Sequence, residues 1–561
     1  LNTTDALFET FEKRYGNALP EVKGDMTPYW EDGAISTAEE EGRNRANSLR
    51  LQQLTTLYAM LDPQRYEEQA FYEAWKHVLL FHEHTWGAHN SISQPDLPFV
   101  TEQWRIKKQF LTDAETQIHA LEHNLLEPLR DPHSKKIMVF NTCSWTRSGL
   151  VRFPATAEGR SVKTAQGALF PLQQLSTGEY VFIAVDVPAL GAVVYEISME
   201  AAPATNTPFQ WNENSISNGK LTAVWDEKGS ITALKTTGAF NYAGVFNGQG
   251  LNSYWYVPGL DPREAQTNAP MQAQLLERGP VLHTIRLDTR EAPGAHQLEK
   301  RISLTAGGAV LLLEDIVDKK AVRSKEAVHF GFPFHESLSR TTIDAGYGTM
   351  QYLNDQLPGS NMDYLCARRW LDISAVDRGL QWLLLEMPLV EPAAMIDERL
   401  TINQSHKAWL KQGRAASTWF SYAMNNYWHT NYKIDQEGPA RFRYALHPYD
   451  RTGDTDLEKA AAEFTQPLIA TPVQEAIKTY EGLFELTNTD ILATSVTPVA
   501  GGGLVIRLFN PGAGAAQTAF KWKTLRPSAV TEALTGKTLH KDDSVVLAGR
   551  GIVELMVLEQ K

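Results

Sequence analysis

Three histidines and a carboxylate close an apolar run in the stretch Trp75-Lys76-His77-Val78-Leu79-Leu80-Phe81-His82-Glu83-His84-Thr85-Trp86-Gly87-Ala88. Imidazole nitrogens and carboxylate oxygens are the ordinary ligands of zinc, and their gathering at the end of a core helix calls for a reason. Two histidines four residues apart, bracketing a glutamate, would make a zinc peptidase helix with the glutamate as general base. Trp86 stands where the second of those histidines belongs, which excludes that chemistry. His84, at the end of the run, is then either a single metal-type donor or a buried histidine satisfied by a backbone carbonyl.

The element that must position His84 is a helix. At roughly 100° per residue, Phe71, Ala74, Trp75, Val78 and His82 fall on one face and His77, Leu80 and His84 on nearly the opposite one. A helix apolar on both sides has to be covered twice, once by its own bundle and once by something else. His82, on the bundle side, reads as a core histidine.

Periodicity divides the chain into a helical front and a β-rich remainder. Leu51, Leu54, Leu57, Tyr58 and Leu61 mark a helix from Thr37 to Leu61, which Asp62-Pro63 stops. A third helix runs from about Phe99 to Leu126 on Trp104, Leu111, Ala114, Ile118, Leu121 and Leu125, and the three helices are expected to form a bundle over 35–132. Residues 1–34 read as a connection. Short β-branched and aromatic runs such as Lys136 to Asn141, Tyr180 to Val185 and Ala192 to Ile197 predict a small sandwich over 133–202. Pro203 and Pro208 flank a linker. From about Phe209 to Leu468 evenly spaced strands follow with no competing helical period, suiting a large two-sheet assembly over 203–470. Gly501-Gly502-Gly503 and Asn510-Pro511-Gly512 punctuate a terminal sandwich over 471–561. The fold class expected is mainly β with an N-terminal three-helix bundle.

Composition bounds the function. A chain of 561 residues predicts several domains, and 43% hydrophobic residues suffices for ordinary cores. Opening on Leu1 rather than methionine, it reads as a processed or partial chain. A net charge of −13 argues against nucleic acid, whose phosphates require a basic surface. No apolar run approaches the roughly twenty residues of a membrane span. Two cysteines, Cys143 and Cys366, are too few for a disulfide framework, which suits the cytoplasm and the bacterial periplasm alike.

A Trp-Lys pair, an aliphatic triplet and a lone histidine before a short turn with a small residue resemble the stretch at which the helical domain of glycoside hydrolase family 38, the α-mannosidases, delivers its last zinc ligand. The resemblance runs on through Tyr29-Trp30-Glu31-Asp32-Gly33 with Arg43-Asn44-Arg45, Val139-Phe140-Asn141 with Ser144-Trp145-Thr146-Arg147, and Leu251-Asn252-Ser253-Tyr254-Trp255-Tyr256-Val257-Pro258-Gly259. Lys325-Glu326-Ala327 with Phe332-Pro333-Phe334, Asp355-Gln356-Leu357-Pro358-Gly359, and Asn425-Asn426-Tyr427-Trp428-His429-Thr430-Asn431-Tyr432 follow in family order. It implies a galactose-mutarotase-like supersandwich flanked by smaller sandwiches, and retaining hydrolysis of an α-mannoside with one zinc ion. His84 is then a metal ligand and Tyr254 a sugar contact reaching in from the sandwich. Family members also carry an α/β barrel with the aspartate nucleophile and the other zinc ligands. No segment of that kind is present here, so the resemblance implies no catalytic residue in this chain and a barrel partner outside it. Where the family usually has an aspartate touching the sugar, Thr85 stands.

Two aromatic and polar clusters carry competing readings. Tyr254 and Tyr256 share one face of a strand and Trp255 the other, which is sheet packing unless one ring is turned to a sugar. Asn425, Asn426, Trp428 and His429 are sugar-reading types, but such a cluster equally ties a loop down through side-chain hydrogen bonds. For the chain as a whole, the reading opposed to a hydrolase is a non-catalytic carbohydrate-binding or structural module. If nothing covers the second helix, its outer face predicts self-association.

Overall fold

The computed structural model describes residues 3–26, 31–203, 209–396, 410, 412–540 and 543–559. Tyr29, Trp30 and Pro208 lie outside them. The helices are α1 (Thr4–Tyr15), α2 (Ala38–Leu61), α3 (Glu68–Phe81), α4 (Pro98–Leu126) and α5 (Asp454–Thr465). α2, α3 and α4 pack on one another through Leu51, Leu54, Tyr58, Phe71, Ala74, Val78, Ala114, Ile118 and Leu121, the residues whose spacing predicts the helices.

The helix buried on several sides is α2, not α3. Its opposite faces meet α3 and α4, the Leu492–Pro498 strand of the C-terminal sandwich, and the large sandwich, where Arg45 donates to the carbonyls of Leu385 (3.0 Å) and Arg368 (2.7 Å). α3 is amphipathic: Phe71, Ala74, Val78 and Phe81 are buried, while Tyr72 and Leu79 are 59% and 64% exposed. The wheel assigns Leu80 and His84 to its outer face, but α3 stops at Phe81 and His84 lies in the turn beyond it.

The large sandwich sets a nine-stranded antiparallel sheet against a five-stranded one in the order Ser253–Pro258, Glu326–Pro333, Thr418–Asn425, Leu389–Pro392, Leu365–Cys366. Leu311–Lys319, in the nine-stranded sheet, alternates buried and half-buried residues along its length, whereas all of Glu326–Pro333 is buried. A strand covered on both faces needs apolar or fully bonded side chains on both. The two smaller sandwiches flank this body, and Ile469–Pro472 pairs with Lys136–Asn141, so a segment astride the expected boundary between the large and terminal sandwiches joins the sheet of the first small one. The chain is mainly β with N-terminal helices, as its texture predicts. α5, in the region read as strands alone, is the exception. Both cysteines are free.

The 425–437 loop leaves the Thr418–Asn425 strand, and one amide makes four of the contacts that hold it. Asn426 accepts from the Glu326 amide (2.8 Å) and its Nδ2 faces the carbonyls of Val322 (3.2 Å), Ser324 (2.8 Å) and Ile434 (2.7 Å). Removing that side chain orphans buried backbone groups at about 1–3 kcal/mol each. Asn426→Ala is therefore expected to cost about 3 kcal/mol or more, read by denaturant unfolding; a loss under about 1 kcal/mol would show that the loop does not depend on this residue.

Candidate functional site

The turn carrying His84 is fixed from both sides. Lys107 of α4, itself buried, donates to the carbonyls of Glu83 (2.9 Å) and Leu80 (3.3 Å), placing a cation at the C-terminal end of α3 where the helix dipole favours it. Asn44 of α2 donates to the Val78 carbonyl at 3.0 Å. Beyond the helix Trp86 adopts a left-handed backbone, φ 71°, which a bulky residue keeps only where its surroundings impose it. Those surroundings are Phe81, with ring centroids 5.3 Å away, Tyr432 at 6.1 Å, and the Lys107 ammonium 4.9 Å over the indole. The small residue of the motif has a steric cause: a Cβ on Gly87 would sit 2.2 Å from the Asn431 carbonyl oxygen and 2.7 Å from the Trp104 ring.

The other wall comes from Glu31–Thr37, a short 3-10 helix, and the 425–432 loop, which the sequence places far apart and the fold brings into contact. Asp32 is 2% exposed; its Oδ1 accepts from Trp428 Nε1 (3.0 Å) and Tyr364 OH (3.5 Å), and its carbonyl accepts from Asn425 Nδ2 (2.7 Å). A Cβ on Gly33 would fall 2.3 Å from the Tyr432 ring. Ser91 donates to the Tyr432 carbonyl at 2.7 Å and Thr430 to that of His89 at 2.9 Å, stapling this loop to the histidine turn. Asn425, Asn426 and Trp428 thus spend their polar groups within the chain, and His429 is exposed.

Between these walls lies a cleft of about 290 Å3. His84 and Thr85, both exposed, stand at it with Glu31, Glu41, His82 and Trp86, and Ile35, Met387 and Leu389 supply apolar lining. His82 therefore shares a cavity with His84 instead of facing the bundle, because the helix ends before either. Its Nδ1 lies 3.6 Å from Glu41 Oε1. Burial pushes the Glu41 carboxyl up to about 8, and packing with the nearby Lys107 and Arg45 charges holds His82 down at about 4. Near neutral pH the cleft thus presents a protonated carboxyl beside a neutral imidazole, a donor and acceptor pair suited to hydroxyl groups. Thr85 donates to the Gly87 carbonyl at 3.2 Å.

Tyr254 is placed elsewhere. It is 1% exposed in the core of the large sandwich, its hydroxyl donating to the Pro293 carbonyl at 2.6 Å and its ring edge-on to Phe330, and it does not line this cleft. The period-two rule gives the right face, but that face points inward between two sheets. Sequence reasoning passes over Glu41, a charged residue in the first turns of α2 that the fold buries at a cleft lined also by Met387 and Leu389 of the large sandwich, and over the role of Asp32.

As for metal, among the described residues no group of three or more His, Cys, Asp or Glu side chains is arranged to hold an ion. The exposed His84 imidazole is one donor, and a tetrahedral zinc shell needs about four. The described residues of this chain do not make a zinc site by themselves.

No protein-family model matches the sequence, and no curated protein matches it. Solved structures do match. A protein in glycosyl hydrolase family 38 from Enterococcus faecalis aligns over 98% of this chain and 73% of its own, with a TM-score of 0.70 and 12% identity. An alpha-mannosidase from Enterococcus faecalis V583 aligns over 98% of this chain and 72% of its own, at 0.70 and 13%. At such identities the likeness is one of fold, and the fold is the one the sequence resemblance implies. A putative aldose 1-epimerase from Escherichia coli K12 covers 43% of this chain at a TM-score of 0.26, too low to carry an argument.

The buried Asp32 yields a pH prediction. Desolvation outweighs the Trp428 hydrogen bond and raises its carboxyl from 3.8 to about 7. The folded state then holds a proton that the unfolded state releases, so this contribution to stability is complete below 3.8 and is lost as pH rises towards 7. Asp32→Asn keeps an acceptor for Trp428 and cannot ionise. It is expected to leave the unfolding midpoint unchanged near pH 4 and to raise it by a few °C at about pH 8; identical midpoints in wild type and variant at both pH values would exclude a raised carboxyl.

Proposed function

We propose that this chain is part of an α-mannosidase-like glycoside hydrolase and forms one side of its sugar site. The observation that carries the reading is the fold match over 98% of the chain to two family 38 proteins, one of them called an alpha-mannosidase. The open cleft at His84 and Thr85 supports it, since a pyranose is bound by apolar walls with a few convergent polar groups. In this reading a catalytic barrel outside these residues brings the nucleophile and the rest of the metal shell.

Retaining hydrolysis needs one carboxylate to attack the anomeric carbon and a second group to protonate the leaving oxygen and then activate water. The residues of this chain bind and orient: Trp86 and Leu389 shape the wall, Thr85 takes the place of the family's sugar-touching aspartate, and the neutral Glu41 and His82 offer hydrogen bonds to sugar hydroxyls. His84 would supply one imidazole ligand if a zinc ion is held here, the ion orienting vicinal sugar hydroxyls. Apolar groups exposed here suit such a partner: Leu7, Phe8, Phe11 and Tyr15 on α1, where no residue is buried, and Tyr72 and Leu79 on α3.

Three outcomes follow. The purified chain is expected to show no turnover of an aryl α-mannoside; activity surviving every contaminant control would overturn the division of labour. In a barrel-containing protein His84→Ala should lose both zinc, measured by metal analysis, and activity. Stoichiometric zinc with full activity in that variant would instead favour the binding-module reading. Finally, Leu79→Lys, at a site 64% exposed, should leave the fold intact and weaken association with a separately expressed barrel, measured by sedimentation; unchanged association would place the interface elsewhere.

A further inference from the structure

Trp86 divides two cavities. Besides the His84 cleft it lines a second one of about 240 Å3, with which that cleft shares no other residue. The two differ in character. Arg105, Lys107, Lys108 and Lys433 line the second cavity, with Glu40 as its one acidic residue. Its walls are aromatic: the indoles of Trp86 and Trp104 and the ring of Phe81.

Not all of that charge is available. Arg105 is held by Glu102 at 2.7 and 2.8 Å, and Lys108 reaches Glu40 at 3.2 Å. Lys107 sits on the Leu80 and Glu83 carbonyls, which leave its charge in place, and the nearest carboxylate oxygen, of Glu83, is 3.6 Å away. Among the described residues Lys433 has no carboxylate within ion-pair distance, although it is half-buried at the cavity wall. Lys107 is thus shared with Glu83, and after internal pairing the charge left over beside the indole surface is that of Lys433. A cationic group alone would serve any anion. Two indoles alone would serve any flat apolar face. Together, in a space smaller than the roughly 300 Å3 at which drug-sized pockets begin, they suit a compact ring carrying one negative group.

We propose that this cavity binds an anionic monosaccharide, a single pyranose bearing a phosphate or carboxylate, with the ring against Trp104 and Trp86 and the anion at Lys433 and Lys107. Aromatic faces stack on sugar C–H groups, and ammonium groups supply charge-assisted hydrogen bonds to the oxyanion. Lys433 lies on the loop that staples the His84 turn and Lys107 caps α3, so a ligand here would touch both supports of the neighbouring cleft. The inference stands on this cavity alone and does not rest on the hydrolase reading.

Titration calorimetry on the full chain tests it, with glucose 6-phosphate and glucuronate as probes and neutral glucose and inorganic phosphate as controls. At least one anionic sugar is expected to bind about tenfold tighter than either control, and the better of the two identifies the anion. Lys433→Gln, a substitution at a half-buried loop position, should weaken that binding about tenfold, while Lys163→Gln, a remote lysine, leaves it unchanged. Raising the salt should weaken it too. The proposal is overturned if no anionic sugar binds below about 10 mM, if glucose binds equally well, or if Lys433→Gln has no effect. Inorganic phosphate binding as tightly as the sugars would overturn the role of the indoles.

Discussion

The site depends on the packing of Trp86 between two parts of the chain 341 residues apart, the separation of Ser91 from Tyr432, which bond each other beside it. A left-handed tryptophan is not a conformation its own segment would choose. It persists because Phe81, Tyr432 and the Lys107 ammonium enclose the indole, and because Gly87 lets the Asn431 carbonyl approach. With the indole fixed, the backbone on its N-terminal side has one path, and His84 and Thr85 are carried outward to the cleft. The residue that excludes a peptidase motif in the sequence is thus the residue that builds the site.

Holding that loop in place requires polar groups to be buried, and the magnitudes decide which of them stabilise. Asn426 gains nearly all the hydrogen bonds an amide can make and Asn425 one at each end of its amide, so their burial costs little and their loss would leave several backbone groups unpaired. Asp32 is different: two hydrogen bonds to its carboxyl do not offset the desolvation of a charge, and the group stays protonated to near neutrality. Glu41 follows the same rule beside the cleft. A neutral, buried carboxyl can donate as well as accept, which a hydroxyl-rich ligand can use.

The sequence made the helices legible wherever an apolar stripe was long. α2 and α4 lie within a residue of their predicted limits because Leu51 to Leu61 and Leu111 to Leu125 repeat at three and four, and Asp62-Pro63 ends the first abruptly. α1 escaped despite Leu7, Phe8, Phe11 and Tyr15 on one side, since a helix with nothing buried offers no packing partner to argue from. α5 is short, and its Leu457, Ala461 and Thr465 gain meaning only against the large sandwich. Site residues divided on the same line. The Trp75 to Ala88 pattern draws attention to His84 and Thr85, which line the cleft, although His84 lies beyond the helix whose wheel gave it a face. At Tyr254 the period of two only groups the ring with Tyr256, and a strand buried along most of its length gives no local sign of whether that face meets a sugar or the core. Asp32 with Trp428, and Glu41 with His82, are long-range pairs, and no periodicity within either segment announces them.

One consequence of this architecture concerns specificity. A single indole lines both a largely neutral cleft and a cationic one, and Lys107, which supports the turn of the first, lines the second. Lys107 is common to both roles, since its ammonium caps α3, lies over Trp86 and lines the basic cavity. An anion drawn towards that ammonium would compete with the Glu83 and Leu80 carbonyls for its protons, and those carbonyls end the helix from which the His84 turn departs. Because the interior is close-packed and deforms little, such competition would have to move the turn or fail to occur. The charge at the basic cavity and the hold on the turn thus draw on one ammonium, whose two hydrogen bonds to the Glu83 and Leu80 carbonyls end the helix.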